Sequence, residues 1–174
     1  MAIATARVRG LLGSALLLVL VALVLLRDGW PAPREATGKA EPAQRAYVSR
    51  VIDGDTIEVR VGGREDEVRY IGIDTPETVK PGTPVQCFGP QASAFNHRLV
   101  EHREVRLVFD RERRDVYGRL LAYVYRGGEL VNARLARLGY ARTLTIPPNT
   151  ARAGLFHRLA AVAGRQGRGL WGAC

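Results

Sequence analysis

Lysine is nearly missing from this chain of 174 residues: Lys39 and Lys80 are the only two, so the 26 basic residues are almost all arginine. Cysteine is scarce too. Two thiols are too few for a disulfide-dense scaffold or a four-thiolate zinc site. The three histidines, His97, His102 and His157, show neither HxH nor HxxxH spacing, which argues against a histidine-built metal site. No internal repeat and no low-complexity tract is visible. Hydrophobic residues at 47% and charged residues at 25% are ordinary globular values, which excludes wholesale disorder, collagen and coiled coil.

What is present is enough for one folded domain, with some chain left over at the N-terminus. Residues 10–26 read GLLGSALLLVLVALVLL, with no charge, after Arg7 and Arg9 and before Arg27 and Asp28. As a helix this run would span about 26 Å. That is the short end of a membrane span and slightly long for a signal-peptide core. The run therefore reads as an uncleaved anchor (residues 1–27) or a cleaved signal peptide, with a buried core helix as the bland alternative. Either of the first two exports the domain and leaves it extracytoplasmic, since the positive flank stays inside. Residues 28–45, rich in Pro, Ala and charge, read as a linker. The domain is then expected over residues 46–174, which carry 20 basic and 14 acidic groups, a net of +6. Such an excess suits a polyanionic partner and also serves solubility.

Cys87 follows a Pro/Gly-rich loop, and Cys174 is the last residue. In an oxidising compartment they could pair and staple the C-terminus to that loop. Otherwise they are two unrelated thiols, one on a tail.

Within the domain, alternation marks strands over 47–52, 56–61 and 67–73, the first two joined by the tight polar turn Asp53-Gly54-Asp55. Pro90 suits the start of a helix whose apolar face is Ala92, Phe95, Leu99 and Val100. Strands follow over 104–110 and 120–125, joined by a long charged connection. Val131, Leu135 and Leu138 mark a short helix ended by Gly139. Leu155, Leu159 and Val162 mark a last helix, with Asn149 or Thr150 as its expected cap. Five short strands with three helices make an α+β domain, mainly β, and the order suits a closed five-stranded OB-type barrel.

The chemistry gathers at strand ends. Asp55 and Asp74 could converge if their strands are adjacent, and carboxylates with backbone carbonyls suit the loose oxygen geometry of calcium. Acidic turn residues taken alone are more often solvated turn formers. Arg69 leads into Asp74, and Arg119 opens the strand after Asp115-Val116-Tyr117-Gly118. Hydrolysis of a phosphodiester builds negative charge at phosphorus. Two guanidiniums and a calcium ion would neutralise it, and Glu77 would take the proton from an attacking water. Each arginine by itself reads equally well as a surface ion pair; only the constellation is persuasive.

The runs VIDGDTIEV, VRYIGIDTPET, FGPQASAF, DVYGRLLAYVY and LVNARLARLGYAR, in this order, strongly resemble the staphylococcal nuclease (thermonuclease) family over nearly all of residues 47–171. The resemblance implies an OB barrel with three helices. It implies a calcium-dependent phosphodiesterase that cuts DNA and RNA, preferring single-stranded or frayed duplex, and leaves 3′-phosphate ends. A monomer is expected. By the same resemblance, Asp55 and Asp74 would be the calcium carboxylates, Thr75 would add its carbonyl, and Asp53 would sit nearby. Arg69 and Arg119 would clamp the phosphate, Glu77 would be the general base, and Tyr117 would contact a terminal phosphate or line the nucleotide pocket. Two departures stand out. Val116 occupies the place of a phosphate-binding lysine, and Thr143-Leu144-Thr145-Ile146 offers no base-stacking tyrosine. Two other classes compete: a non-catalytic OB module that binds nucleic acid, and an envelope scaffold that grips anionic polymers. Presence of the whole acid–arginine set favours the enzyme.

Overall fold

The computed structural model describes residues 43–79 and 81–174, all within the unit Ala40–Cys174. The expected anchor and most of the expected linker lie outside these residues. Among the described residues, no helix is long and apolar enough to cross a membrane.

Strand β1 (Ala43–Val51) pairs antiparallel with β2 (Thr56–Val61), and β2 with β3 (Arg64–Tyr70). β1 begins three residues before the expected domain start, because Ala43, Gln44 and Arg45 pair with Val108, Leu107 and Arg106 of β5 (Glu104–Val108). β5 pairs with β6 (Leu120–Arg126), and β6 closes the barrel through a parallel ladder to β3, with Val68 opposite Leu120. Closure removes the exposed edges that an open five-stranded sheet would present. The inward residues alternate along each strand: Ile57, Val59 and Val61 on β2, Val105 and Leu107 on β5, Leu120, Ala122 and Val124 on β6, all buried.

The strand expected over 67–73 is split. Gly72 has φ +84°, and a Cβ there would lie 2.3 Å from Phe156, so only glycine permits the chain to turn at this point. Beyond it, β4 (Gly72–Asp74) pairs with β8 (Arg142–Leu144), a two-stranded unit not foreseen from the pattern. A second unforeseen piece is β7 (Glu129–Leu130), which forms a hairpin with β6.

The helices are α1 (Gly89–Val100), α2 (Val131–Arg137), α3 (Ala153–Arg165) and the four-residue α4 (Leu170–Ala173). α1 carries Pro at its first turn and buries Ala92, Leu99 and Val100 as its apolar spacing predicts. The cap expected for α3 is corrected. Its N-cap is Arg152, and no side chain caps it. Asn149 is drawn away instead: its amide exchanges two hydrogen bonds with the Glu112 backbone, at 2.8 and 2.9 Å.

Buried Asn132 ties three elements together. Its Oδ1 accepts from the Val124 N–H at 2.9 Å, and its Nδ2 donates to the Ile71 carbonyl at 2.9 Å. It thus anchors α2 against β6 and fixes the chain just before Gly72, where the acidic strand end begins.

Candidate active site

The Asp53-Gly54-Asp55 turn is built by its own side chains. Asp53 Oδ1 accepts the Asp55 N–H at 2.9 Å, an Asx-type closure. Gly54 is needed for contact: a Cβ there would lie 2.6 Å from Thr75 Oγ1. α1 supports the turn from behind, since Asn96 Nδ2 donates to the Asp53 carbonyl at 3.0 Å and Asn96 Oδ1 accepts from the Tyr70 hydroxyl at 3.1 Å.

Asp55 is no solvated turn former; it is 3% exposed. Its Oδ2 accepts from Thr75 twice, from the backbone N–H at 2.6 Å and from the hydroxyl at 3.0 Å. Its Oδ1 accepts from the Thr56 hydroxyl at 3.2 Å and pairs with Arg69 Nη1 at 3.1 Å. The other fork of the same guanidinium, Nη2, donates to Asp74 Oδ1 at 2.7 Å. Asp55 and Asp74 therefore do converge, on the two terminal nitrogens of Arg69. Two backbone carbonyls hold that guanidinium in place: Nη1 also donates to Tyr70 at 3.1 Å and to Ile73 at 2.9 Å.

Burial pushes the Asp55 carboxyl up to about 7, with Asp53 and Asp74 adding to the push and Arg69 and the Thr75 N–H opposing it. A carboxyl raised in the folded state holds its proton longer than in the unfolded chain. Its contribution to stability is therefore full below about pH 4 and lost as pH climbs toward 7. In cation-free buffer the Asp55 carboxyl should titrate near 7, read by its ¹³C shift, and added calcium should move the midpoint down. A midpoint near the ordinary carboxylate range in the absence of any cation would contradict this account of its burial.

The second arginine is fixed by Asp115, a residue of the same motif to which the sequence pattern assigns no role. Arg119 Nε donates to Asp115 Oδ2 at 2.7 Å, and its Nη2 pairs with the same oxygen at 2.7 Å. Asp115 Oδ1 accepts from the backbone N–H groups of Tyr117 and Arg119, both at 3.0 Å, so one carboxylate shapes the whole turn. The i,i+4 spacing of Asp115 and Arg119 was the available signal. Arg69, Asp115, Tyr117 and Arg119 line one cleft of about 330 Å³. Tyr117 is exposed, with the Arg119 Cζ 5.4 Å from its ring centre. Val116, Leu144 and Ile146 give the same cleft an aliphatic wall, with Leu144 and Ile146 in the stretch that offers no base-stacking tyrosine.

Glu77 belongs to the neighbouring loop and is not a lining residue of that cleft. Its Oε1 accepts from the Thr78 and Val79 N–H groups at 2.8 and 2.9 Å. Gln86 clamps its backbone from both sides: Gln86 Oε1 accepts the Glu77 N–H at 3.0 Å, and the Gln86 N–H donates to the Glu77 carbonyl at 2.9 Å. Nothing in the residue pattern singled out Gln86. The next residue, Cys87, forms a disulfide with Cys174.

Two carboxylates facing a forked cation, a second arginine lining the same cleft and a loop-borne glutamate on an OB barrel define a hydrolase class directed at phosphate esters. Residues 67–173 match the family described as staphylococcal nuclease homologue. The thermonuclease of Staphylococcus intermedius is 44% identical over 134 residues, covering 77% of this chain and 80% of that protein. That of Staphylococcus hyicus is 43% identical over 140 residues, covering 78% and 83%. The endonuclease YncB of Bacillus subtilis is 50% identical over 105 residues, covering 59% of this chain and 50% of that protein. The chain belongs to the staphylococcal nuclease family.

Proposed function

We propose that the chain is a calcium-dependent nuclease that hydrolyses phosphodiester bonds of DNA and RNA, leaves 3′-phosphate ends and works outside the cytoplasm. That it is a nuclease, a hydrolase of ester bonds, follows from its family and from relatives named thermonuclease and endonuclease. The finer reading is carried by one observation: a buried carboxylate, Asp55, faces Asp74 across the Arg69 guanidinium.

The donor set suits a hard cation. Among the described residues, no three His, Cys, Asp or Glu side chains form a ready cluster. A cation held by Asp55 and Asp74 would therefore complete its shell with oxygens such as the Thr75 carbonyl and water, which calcium tolerates better than magnesium. Calcium, when bound, supplies a Lewis acid that stabilises the charge developing on the phosphoryl oxygens.

The chain's own groups do the rest. Arg69 and Arg119, brought to one cleft by the β3–β6 ladder, hold phosphoryl oxygens, and their charge grows in effect as phosphorus becomes five-coordinate. Glu77 accepts the proton of the attacking water as its oxygen bonds to phosphorus. The bond from phosphorus to the 5′ oxygen breaks, that oxygen takes up a proton, and the 3′ side keeps the phosphate. Arg119 is suited to steady the leaving oxygen. The aliphatic wall gives an unpaired base a surface without ring stacking, which is worth about 1–3 kcal/mol per base where an aromatic is present. The Cys87–Cys174 bridge suits an oxidising compartment.

The test is hydrolysis of single-stranded DNA by the full chain with calcium and then with excess EGTA. Cleavage abolished by the chelator and restored by calcium is the expected result. Cleavage that survives EGTA would remove calcium from the reading, and tight binding without cleavage would favour a binding module.

A further inference from the structure

Strand β6 has an outer face that leads away from the cleft. Its partly exposed positions on this side are Leu121 and Tyr125; Tyr123 between them is buried against Phe156, and Leu120, Ala122 and Val124 point into the core. Leu121 lines the catalytic cleft. Tyr123 lies beneath Arg152, whose Cζ is 5.0 Å from its ring centre and 5.8 Å from that of Tyr125. Tyr125 is covered from the other side by Arg106, at 4.3 Å. At about 3.3 Å per residue, Tyr125 is about 13 Å from Leu121.

Past Tyr125 the face continues across the barrel. Arg106 is paired in register with Tyr125 on one side and with Arg45 on the other. Arg45, Arg106 and Tyr125 line a second, shallow cleft of about 270 Å³. Two arginines directly opposite each other on adjacent strands repel. Among the described residues, neither is in an ion pair. Glu104 lines the same cleft but stands opposite Tyr47 in the ladder and pairs with neither arginine, so the cleft keeps a net charge of +1. Such an arrangement is unfavourable for the chain alone and favourable with an anion between the two guanidiniums.

We propose that Arg45 and Arg106, reached by way of Arg152 and Tyr125, form a second contact for the nucleic-acid strand, gripping phosphates beyond Tyr125, which is itself about 13 Å from the cleft. This rests on the nuclease reading and extends it to the length of strand engaged. The Arg152 guanidinium bridges the buried Tyr123 to Tyr125, so positive charge continues from the cleft side toward Arg106, and it matches a phosphodiester backbone. Grooves of single OB folds hold roughly 4–16 nucleotides, so one strand can span both places.

The test compares the full chain with the double variant Arg45→Gln/Arg106→Gln on a dinucleotide and on a long poly(dT) strand. Both residues are apart from the catalytic groups. On the dinucleotide, kcat and KM should stay within about twofold. On the long strand, kcat/KM should fall about tenfold at low salt. The salt dependence of strand binding should become shallower by about 1.4 in log–log slope, since each phosphate that a guanidinium neutralises adds about 0.7 on a single strand. Unchanged long-strand kinetics and slope would overturn the proposal, as would an equal loss on both substrates. Weaker binding to anionic lipid vesicles with strand kinetics intact would assign the face to lipid and overturn it too. If the unaltered chain cleaved neither substrate, the hydrolytic reading would fall, and the salt slope of strand binding would still decide the second contact.

Discussion

Glu77→Gln is expected to lower phosphodiester hydrolysis by about 10²–10⁴-fold, the range for a positioned general base, while nucleic-acid binding persists. Oε1 of Glu77 accepts from the Thr78 and Val79 N–H groups. A glutamine oxygen can accept the same two bonds, so the loop keeps its turn. The Gln86 clamp engages only the Glu77 backbone and is untouched. What disappears is the negative charge that the proposed proton transfer requires. The variant should melt within a few degrees of the unaltered chain and shift single-stranded DNA in a gel with similar affinity. Hydrolysis within several-fold of the unaltered rate would take Glu77 out of the proton transfer. The remaining rate would then be ascribed to the arginines and the cation.

The barrel was legible from the residues because its strands obey one simple rule. Ile57, Val59 and Val61 alternate with Thr56, Glu58 and Arg60, and that alternation sets β2 at its observed bounds. The short pair β4–β8 was not legible, since three residues carry no measurable alternation. It exists because Gly72 breaks β3 and Phe156 of a distant helix fills the space that a side chain would take. Asn149 shows the same limit. It had the chemistry of a helix cap, yet contact with Glu112, 37 residues earlier, took its amide. Within the site, residue types and order indicated the acids and arginines but not how they are held. That Arg69 bridges Asp55 and Asp74 depends on the antiparallel register that sets Thr56 opposite Arg69. That Gln86 holds Glu77 depends on a loop that no periodicity describes. The Arg45–Arg106 opposition is likewise a product of strand register, joining residues far apart in sequence.

Opening the Cys87–Cys174 bridge is the second change expected to have a large effect, and it should act on stability and catalysis together. The bridge closes 87 residues of sequence, for which the chain-entropy model gives roughly 4–5 kcal/mol as an upper figure. For a domain of this size that corresponds to a melting temperature lower by roughly 10–20 °C. The catalytic consequence follows from position. Cys87 is next to Gln86, and Gln86 makes two hydrogen bonds to the Glu77 backbone. On the other side Phe88 lies 5.4 Å from the Tyr140 ring, and Gly89 is pressed so close that a Cβ would meet the Glu77 carbonyl at 2.9 Å. The loop bearing Glu77 is therefore braced at this short segment, and the disulfide ties the segment to the C-terminus beyond α4. α4 itself is docked by the buried Leu170, whose N–H donates to the Gly139 carbonyl at 2.8 Å. Reduction, or Cys87→Ser with Cys174→Ser, should thus lower kcat several-fold at temperatures where the fold survives, with little change in strand affinity, because Arg69 belongs to β3 and Arg119 immediately precedes β6. Reoxidation should restore the rate of the reduced chain, whereas the serine variant should not respond to oxidant. A melting temperature changed by less than about 3 °C would mean that the open form keeps the loop in place by its hydrogen bonds alone. An unaltered kcat beside a lowered melting temperature would confine the bridge to stability and detach it from Glu77.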